Sequence, residues 1–263
     1  MFVFFRSWRA AFLLQQVSRM LLPVLAILFL ATLIRSAFGF GEALVAVPLL
    51  AFVMPVELAA PLAVLVSITV AVVAIAQDWR HIHLRSAGWL VLSTLVGMPL
   101  GLLALHRMDA RIVKAILAVV IMGFSGYSLL GRTRAMLPDD RWAWIFGFAA
   151  GVFGGAYGMN GPPLVMYGSL RGWSPQHFRA TLQGYFLPAS LITFAGYGLT
   201  GLWTVTVNRY YLLALPVIVL AIFLGRAANR RMNARIFVCY VHVGLVIVGA
   251  LLLFQSVAGP RIG

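Results

Sequence analysis

Charge is what this chain has least of. Charged residues make up 10% of its 263 residues, and only six are acidic: Glu42, Glu57, Asp78, Asp109, Asp139 and Asp140. A soluble domain is about a quarter charged and half apolar; here 62% is hydrophobic and the mean hydropathy is +0.98. That balance excludes a soluble globular protein and reads as an all-α polytopic membrane protein. No long polar linker interrupts the apolar segments, so a single integrated membrane domain is expected. Cysteine is nearly absent: Cys239 stands alone inside an apolar segment, which excludes a disulfide framework. The sequence also lacks H-E-x-x-H, G-x-S-x-G and a phosphate-binding loop, and no nucleophile–base pair has a defined spacing. His81 and His83 beside Asp78 lack a clear further ligand, so no metal and no cofactor are expected. Sparse carboxylates argue against an enzyme. Without an ATPase module, transport is secondary or depends on another chain.

What is plentiful is positive charge, formally +14. The basic residues are spread over many short inter-segment loops rather than gathered in a patch. They therefore read as anchors to anionic lipid head groups, with no nucleic-acid partner. A secondary effect is a positive field that draws anionic solutes to the pore mouths.

The stretch that organises the chain is 147–179, GFAAGVFGGAYGMNGPPLVMYGSLRGWSPQHFR. Glycine costs about 1 kcal/mol and proline about 3 kcal/mol in a helix interior. Broken backbone at membrane depth is tolerated only where protein or a water-filled cavity satisfies it. Close helix packing explains glycines, but not Asn160-Gly161-Pro162-Pro163. The run therefore predicts a discontinuous helix facing a polar site. A fresh helix starts at Gly161, with Asn160 as candidate N-cap and proline in the first turn. Its free N–H groups and positive dipole end suit an anion.

Taken in order, residues 1–20 form a basic amphipathic N-terminal lead, read as uncleaved because no A-x-A-like site follows before Arg35. The first transmembrane repeat occupies 21–131, a polar linker 132–141, and the second repeat 142–256. Segments 43–54 and 162–170 are too short to span, since spanning takes about 20 residues. Segments 58–77, 87–105 and 112–131 in the first half, and 178–199, 210–225 and 236–254 in the second, suit crossings. Trp203, Tyr210 and Tyr211 fall where interfacial aromatics belong.

The two halves echo each other. Arg107-Met108-Asp109-Ala110-Arg111-Ile112 recurs 124 positions later as Arg231-Met232-Asn233-Ala234-Arg235-Ile236, with five of six residues identical. Gly39-x-Gly41 matches Gly158-x-Asn160, 119 positions apart. Each half reads as a glycine-broken or re-entrant helix pair followed by about three spanning helices. Duplication with a broken helix in each half is the pattern of secondary transporters, whose substrate lies where the breaks meet. Inverted repeats are favoured because they make alternating access simplest. Lysines and arginines divide about evenly between the two faces, so the positive-inside count does not fix orientation.

The substrate-binding candidates are Arg35, Gly39, Gly41, Gly158, Asn160, Gly161, Arg179, Thr181 and Gln183. Intramembrane ionisable residues are expensive and functional by default. For Arg35 and Glu42 two readings stand: an ion pair that stabilises the break, or an arginine that holds an anion while Glu42 titrates and couples transport to protons. Arg35 is merely interfacial if the first segment ends early. His242, midway along the last segment, is a second proton-coupling candidate. Thr181 and Gln183 either line the pathway or bond between helices. His177 reads as interfacial.

With these residues in view, the chain resembles the sulfite exporter TauE/SafE family, also called the four-toluene sulfonate uptake permease family. The resemblance rests on Gly39-Phe40-Gly41-Glu42-Ala43-Leu44 with Pro48, on Gly151-Val152-Phe153-Gly154-Gly155 through Gly158-Met159-Asn160-Gly161-Pro162-Pro163-Leu164, and on Phe178-Arg179-Ala180-Thr181. It covers nearly the whole chain from Leu21 on. It implies a bacterial inner-membrane carrier of small sulfur oxyanions or organosulfonates such as sulfite and sulfoacetate. The family commonly shows a run of glycines in the first motif; Glu42 interrupts it here, and a carboxylate there bears on anion selectivity and coupling. The expected partners are thus a small anion, membrane lipids and protons, with a homodimer left open. An anion channel and a carrier of an unrelated small carboxylate or other anion are the rival readings, with a non-transporting membrane subunit or an intramembrane enzyme behind them.

Overall fold

In the computed structural model the described residues are 21–37, 39, 41–78, 84–130, 137, 139, 141–173, 175–229 and 234–258. The N-terminal lead, His81, His83 and most of the 132–141 linker lie outside them. Every regular element among the described residues is an α-helix. In chain order these are α1 (Leu21–Ala37), α2 (Glu42–Leu50), α3 (Val56–Asp78), α4 (Leu84–Arg107), α5 (Ala110–Leu130), α6 (Trp142–Tyr157), α7 (Gly161–Leu170), α8 (Pro175–Leu199), α9 (Val205–Asn229) and α10 (Ala234–Ala258). Four carry stretches long and apolar enough to cross a membrane: Val56–Ala74, Ala87–Arg107, Arg111–Leu130 and Val205–Ala228. This is a multi-pass, all-helical membrane protein.

The lengths fall into an order that recurs. A helix of 16 or 17 residues ends in a break, a short helix of 9 or 10 follows, and three helices of 21 to 25 complete the set. The starts of α2 and α7, and of α3 and α8, are each 119 residues apart. The starts of α5 and α10 are 124 apart, inside the echoed Arg-Met-x-Ala-Arg motif. In the first copy Asp109 Oδ1 accepts the Arg111 backbone N–H at 2.7 Å, a local reason for α5 to begin there.

Packing pairs α4 with α6, α5 with α10, and α3 with α8 and α9. The α4–α6 seam is closed by small residues. A Cβ on Gly151 would lie 2.9 Å from Met98 N and from Thr94 Cα, so only glycine allows the two backbones to touch there. Hydroxyls bind the same seam: Thr94 Oγ1 donates to Gly147 O at 3.0 Å. On the far side, Gly225 of α9 meets the α1 backbone at Leu33 and Ala37. The glycines of 147–179 thus divide between two jobs, with Gly151 and Gly155 in the seam and Gly158 and Gly161 at the break.

Two sequence expectations shift. Tyr210 is buried and Tyr211 bonds Thr69 Oγ1 across to α3 at 2.6 Å, so only Trp203 of that aromatic group is exposed. Arg35, for which an interfacial place and a buried pair both stood open, is 6% exposed near the C-terminal end of α1 and so lies inside the protein.

Candidate functional site

The two breaks are built alike. After α1, Gly39 and Gly41 take φ of 85° and 96°; after α6, Gly158 takes 66°. These are left-handed conformations that glycine adopts without a Cβ penalty. Gly39 N–H donates to Arg35 O at 2.6 Å, and Gly158 N–H donates to Gly154 O at 2.8 Å. The chain then restarts as α2 and α7. In the first turn of α2 Glu42 and Ala43 carry N–H groups; in α7 Gly161 carries one, while Pro162 and Pro163 carry none.

Both restarts line one cavity. Its wall takes Arg35, Gly41 and Glu42 from the first break and Gly158, Asn160 and Gly161 from the second. The open space is small, about 20 Å³, room for about one water molecule. Ser67 of α3, Phe124 of α5, and Phe186 and Ser190 of α8 complete the polar and aromatic parts of the wall.

On the first-break side, Arg35 Nη1 lies 3.0 Å from Glu42 Oε2 and donates to Ser67 Oγ at 2.8 Å. Ser67 Oγ in turn donates to Glu42 Oε2 at 3.2 Å. The guanidinium sits 4.8 Å from the centroid of the Phe186 ring. Glu42 is 1% exposed, and its second oxygen, Oε1, has no hydrogen-bond partner. A charged pair at this depth survives only when paired and further bonded, which Ser67 and the aromatic face provide. The ion-pair reading of Arg35 and Glu42 is the one the geometry displays. It also places a carboxylate in the first turn of α2, so that helix start already has its anion.

The second-break side has no such occupant. The position 119 residues after Arg35 is Gly154, after Glu42 it is Gly161, and after Ser67 it is Phe186. Asn160 fills the room beside Gly154, where a Cβ would run into its amide. Asn160 Nδ2 donates to Tyr185 OH at 3.4 Å, and Tyr185 OH lies 2.7 Å from Thr94 Oγ1. This chain of groups fixes the amide against α8 and α4. A Cβ placed on Gly161 meets nothing within 4 Å, so the start of α7 opens onto free space.

The other candidates distribute as follows. Gly39 shapes the first break but is not on the cavity wall. Thr181 is fully buried on α8, its hydroxyl unpartnered and off the wall. The side chains of Arg179, Gln183 and His177 lie outside the described residues. His242 is buried on α10, with Nδ1 3.3 Å from Ser125 Oγ and its ring 5.4 Å from that of Phe124. Phe124 lines the cavity and His242 does not, so one aromatic ring separates the histidine from the site. Sequence reasoning missed Ser67, Phe186, Ser190, Tyr185 and Thr94.

A helical membrane bundle with two breaks turned onto one buried polar cavity is the architecture of membrane transporters. The chain belongs to the sulfite exporter TauE/SafE family, whose model matches residues 24–252. It is therefore a member of a transporter family and not an enzyme. Among curated proteins it is 25% identical over 218 residues to a "Probable sulfite/organosulfonate exporter TauE" of Cupriavidus necator, covering 80% of this chain and 85% of that one. No solved structure is a significant match.

Proposed function

We propose that this protein is a secondary transporter that moves small sulfur-containing anions, sulfite or organosulfonates such as sulfoacetate, across the bacterial inner membrane. The supporting observation is the helix start at Gly161, where a Cβ would meet no protein atom within 4 Å and which shares a cavity with Arg35. Helices α2 and α7 are about 14 and 15 Å long at about 1.5 Å per residue, roughly half the hydrocarbon thickness, which suits breaks near the midplane. A sulfonate keeps its charge at neutral pH and presents several acceptor oxygens, so it suits backbone N–H groups, the Asn160 amide and serine hydroxyls together. The recurring element order favours two homologous halves, 21–131 and 142–256, arranged as inverted repeats. Rocking one against the other would expose the cavity alternately to the two sides.

The test is flux into proteoliposomes containing the purified protein. A carrier gives saturable uptake of sulfite or sulfoacetate, accelerated by the same anion inside the vesicle. Flux that rises linearly with concentration and ignores the inner anion would make the protein a channel. Flux of acetate in preference to the sulfur anions would move the substrate class to carboxylates.

A further inference from the structure

We infer that Glu42 is a built-in stand-in for the transported anion, and that an anion reaches Arg35 only when Glu42 takes up a proton, so that anion and proton enter the site together. The inference rests on the transporter reading above and gives its coupling.

Three features carry it. First, Arg35 Nη1 spends both of its recorded contacts inside the first half, on Glu42 Oε2 and Ser67 Oγ. An anion that takes Nη1 must displace the carboxylate, and one that binds beside the ionised carboxylate puts a second negative charge on a single guanidinium. Second, Glu42 heads α2 as Gly161 heads α7, and both line the same cavity. The carboxylate holds at one helix start the position that the other leaves open to an anion. Third, Glu42 Oε1 is buried on the cavity wall with no partner. Protonated there, it changes from an orphaned acceptor into an O–H donor that an anion in the cavity can satisfy.

The charge count selects the two allowed states. Arg35 with ionised Glu42 is neutral. Arg35 with protonated Glu42 and a monovalent anion is also neutral. Anion without proton leaves the buried site at −1, and proton without anion leaves it at +1. Both are uncompensated charges in a low-dielectric interior. The groups facing Glu42 sustain this count: Arg35 from α1, Ser67 from α3, Phe124 from α5, Gly161 from α7, and Phe186 and Ser190 from α8. Among the described residues of the wall, Arg35 and Glu42 are the charged ones. His242 on α10 lies behind Phe124. In each transport step the proton travels on a Glu42 carboxylate oxygen and leaves when the anion leaves, so a monovalent anion crosses with no net charge.

Methanesulfonate and sulfoacetate serve as probes, because neither exchanges a proton near neutral pH. Added to the protein in weak buffer with a pH indicator, either anion should draw about one proton per anion bound. Its apparent affinity should fall about tenfold per pH unit on the alkaline side, as one linked proton requires. Glu42→Gln should bind with no proton uptake and with a flat pH profile. Binding by the wild-type protein without proton uptake overturns the inference on its own, whether or not the variant folds. Unchanged proton uptake in Glu42→Gln overturns it as well. Either result leaves the transporter reading standing. Failure of the wild-type protein to bind or move any sulfur anion removes that reading, and the inference with it.

Discussion

Glu42 and Gly161 hold the same place in their surroundings. Each is the first residue of a short helix that restarts after a glycine break, and the two helix starts share one cavity. One start carries its own carboxylate and the other carries nothing beyond a hydrogen. The contrast assigns different consequences to substitutions on the two sides.

Bulk at Gly161 should stop transport without harming the fold. A Cβ there has open space, so Gly161→Ala and Gly161→Leu should express and melt within a few degrees of the wild type. Gly161→Leu should nonetheless abolish flux, because its side chain fills the cavity beside the Gly161 N–H and Asn160. Normal flux in that variant would take the second break out of the site.

Bulk at Gly151 should do the reverse. Its Cβ would strike the α4 backbone at Thr94 and Met98. Overpacking of this kind costs about 1–3 kcal/mol. Gly151→Val should therefore lower the melting temperature and the yield of folded protein, as size-exclusion profiles in detergent would report.

Removing Arg35 alone should be worse than removing the pair. Arg35→Gln leaves the Glu42 carboxylate buried without its counter-charge, a loss of about 3–5 kcal/mol for broken buried pairs. The double variant Arg35→Gln, Glu42→Gln should regain much of that stability in a melting experiment. Additive losses would mean that the two side chains are not energetically coupled.

Tyr185→Phe should weaken substrate affinity more than turnover. The hydroxyl holds the Asn160 amide and meets Thr94 Oγ1. Its loss removes hydrogen bonds worth about 0.5–1.5 kcal/mol each and frees the amide that faces the cavity. A raised KM with a nearly constant maximal rate is the expected result; an unchanged KM would assign the tyrosine to packing alone.

The backbone breaks were legible in the sequence because glycine and proline advertise their constraint locally. Gly41, Gly158, Asn160 and Gly161 needed no partner to be noticed, and α7 begins at the predicted residue. Arg35 and Glu42 were legible for the same reason, as charges inside apolar runs. Ser67, Ser190 and Phe186 were not. A serine in an apolar helix bonds equally well to its own preceding turn, and a phenylalanine facing a guanidinium looks like one facing lipid. Their role depends on which helix face meets the breaks, and that is fixed by packing between α3 and α8. His242 was legible in the same way, as a titratable residue at mid-helix, but its place behind Phe124 of the wall was not.

The glycine seam between α4 and α6 has a mechanical consequence. Backbones in direct contact have no side-chain cushion to deform, so α4 and α6 must travel as one stiff strut. Asn160 is tethered to that strut through Tyr185 and Thr94, and it sits immediately beyond the end of α6. The second break is thus tied to the strut, while the Arg35–Glu42 pair is tied to α3 through Ser67.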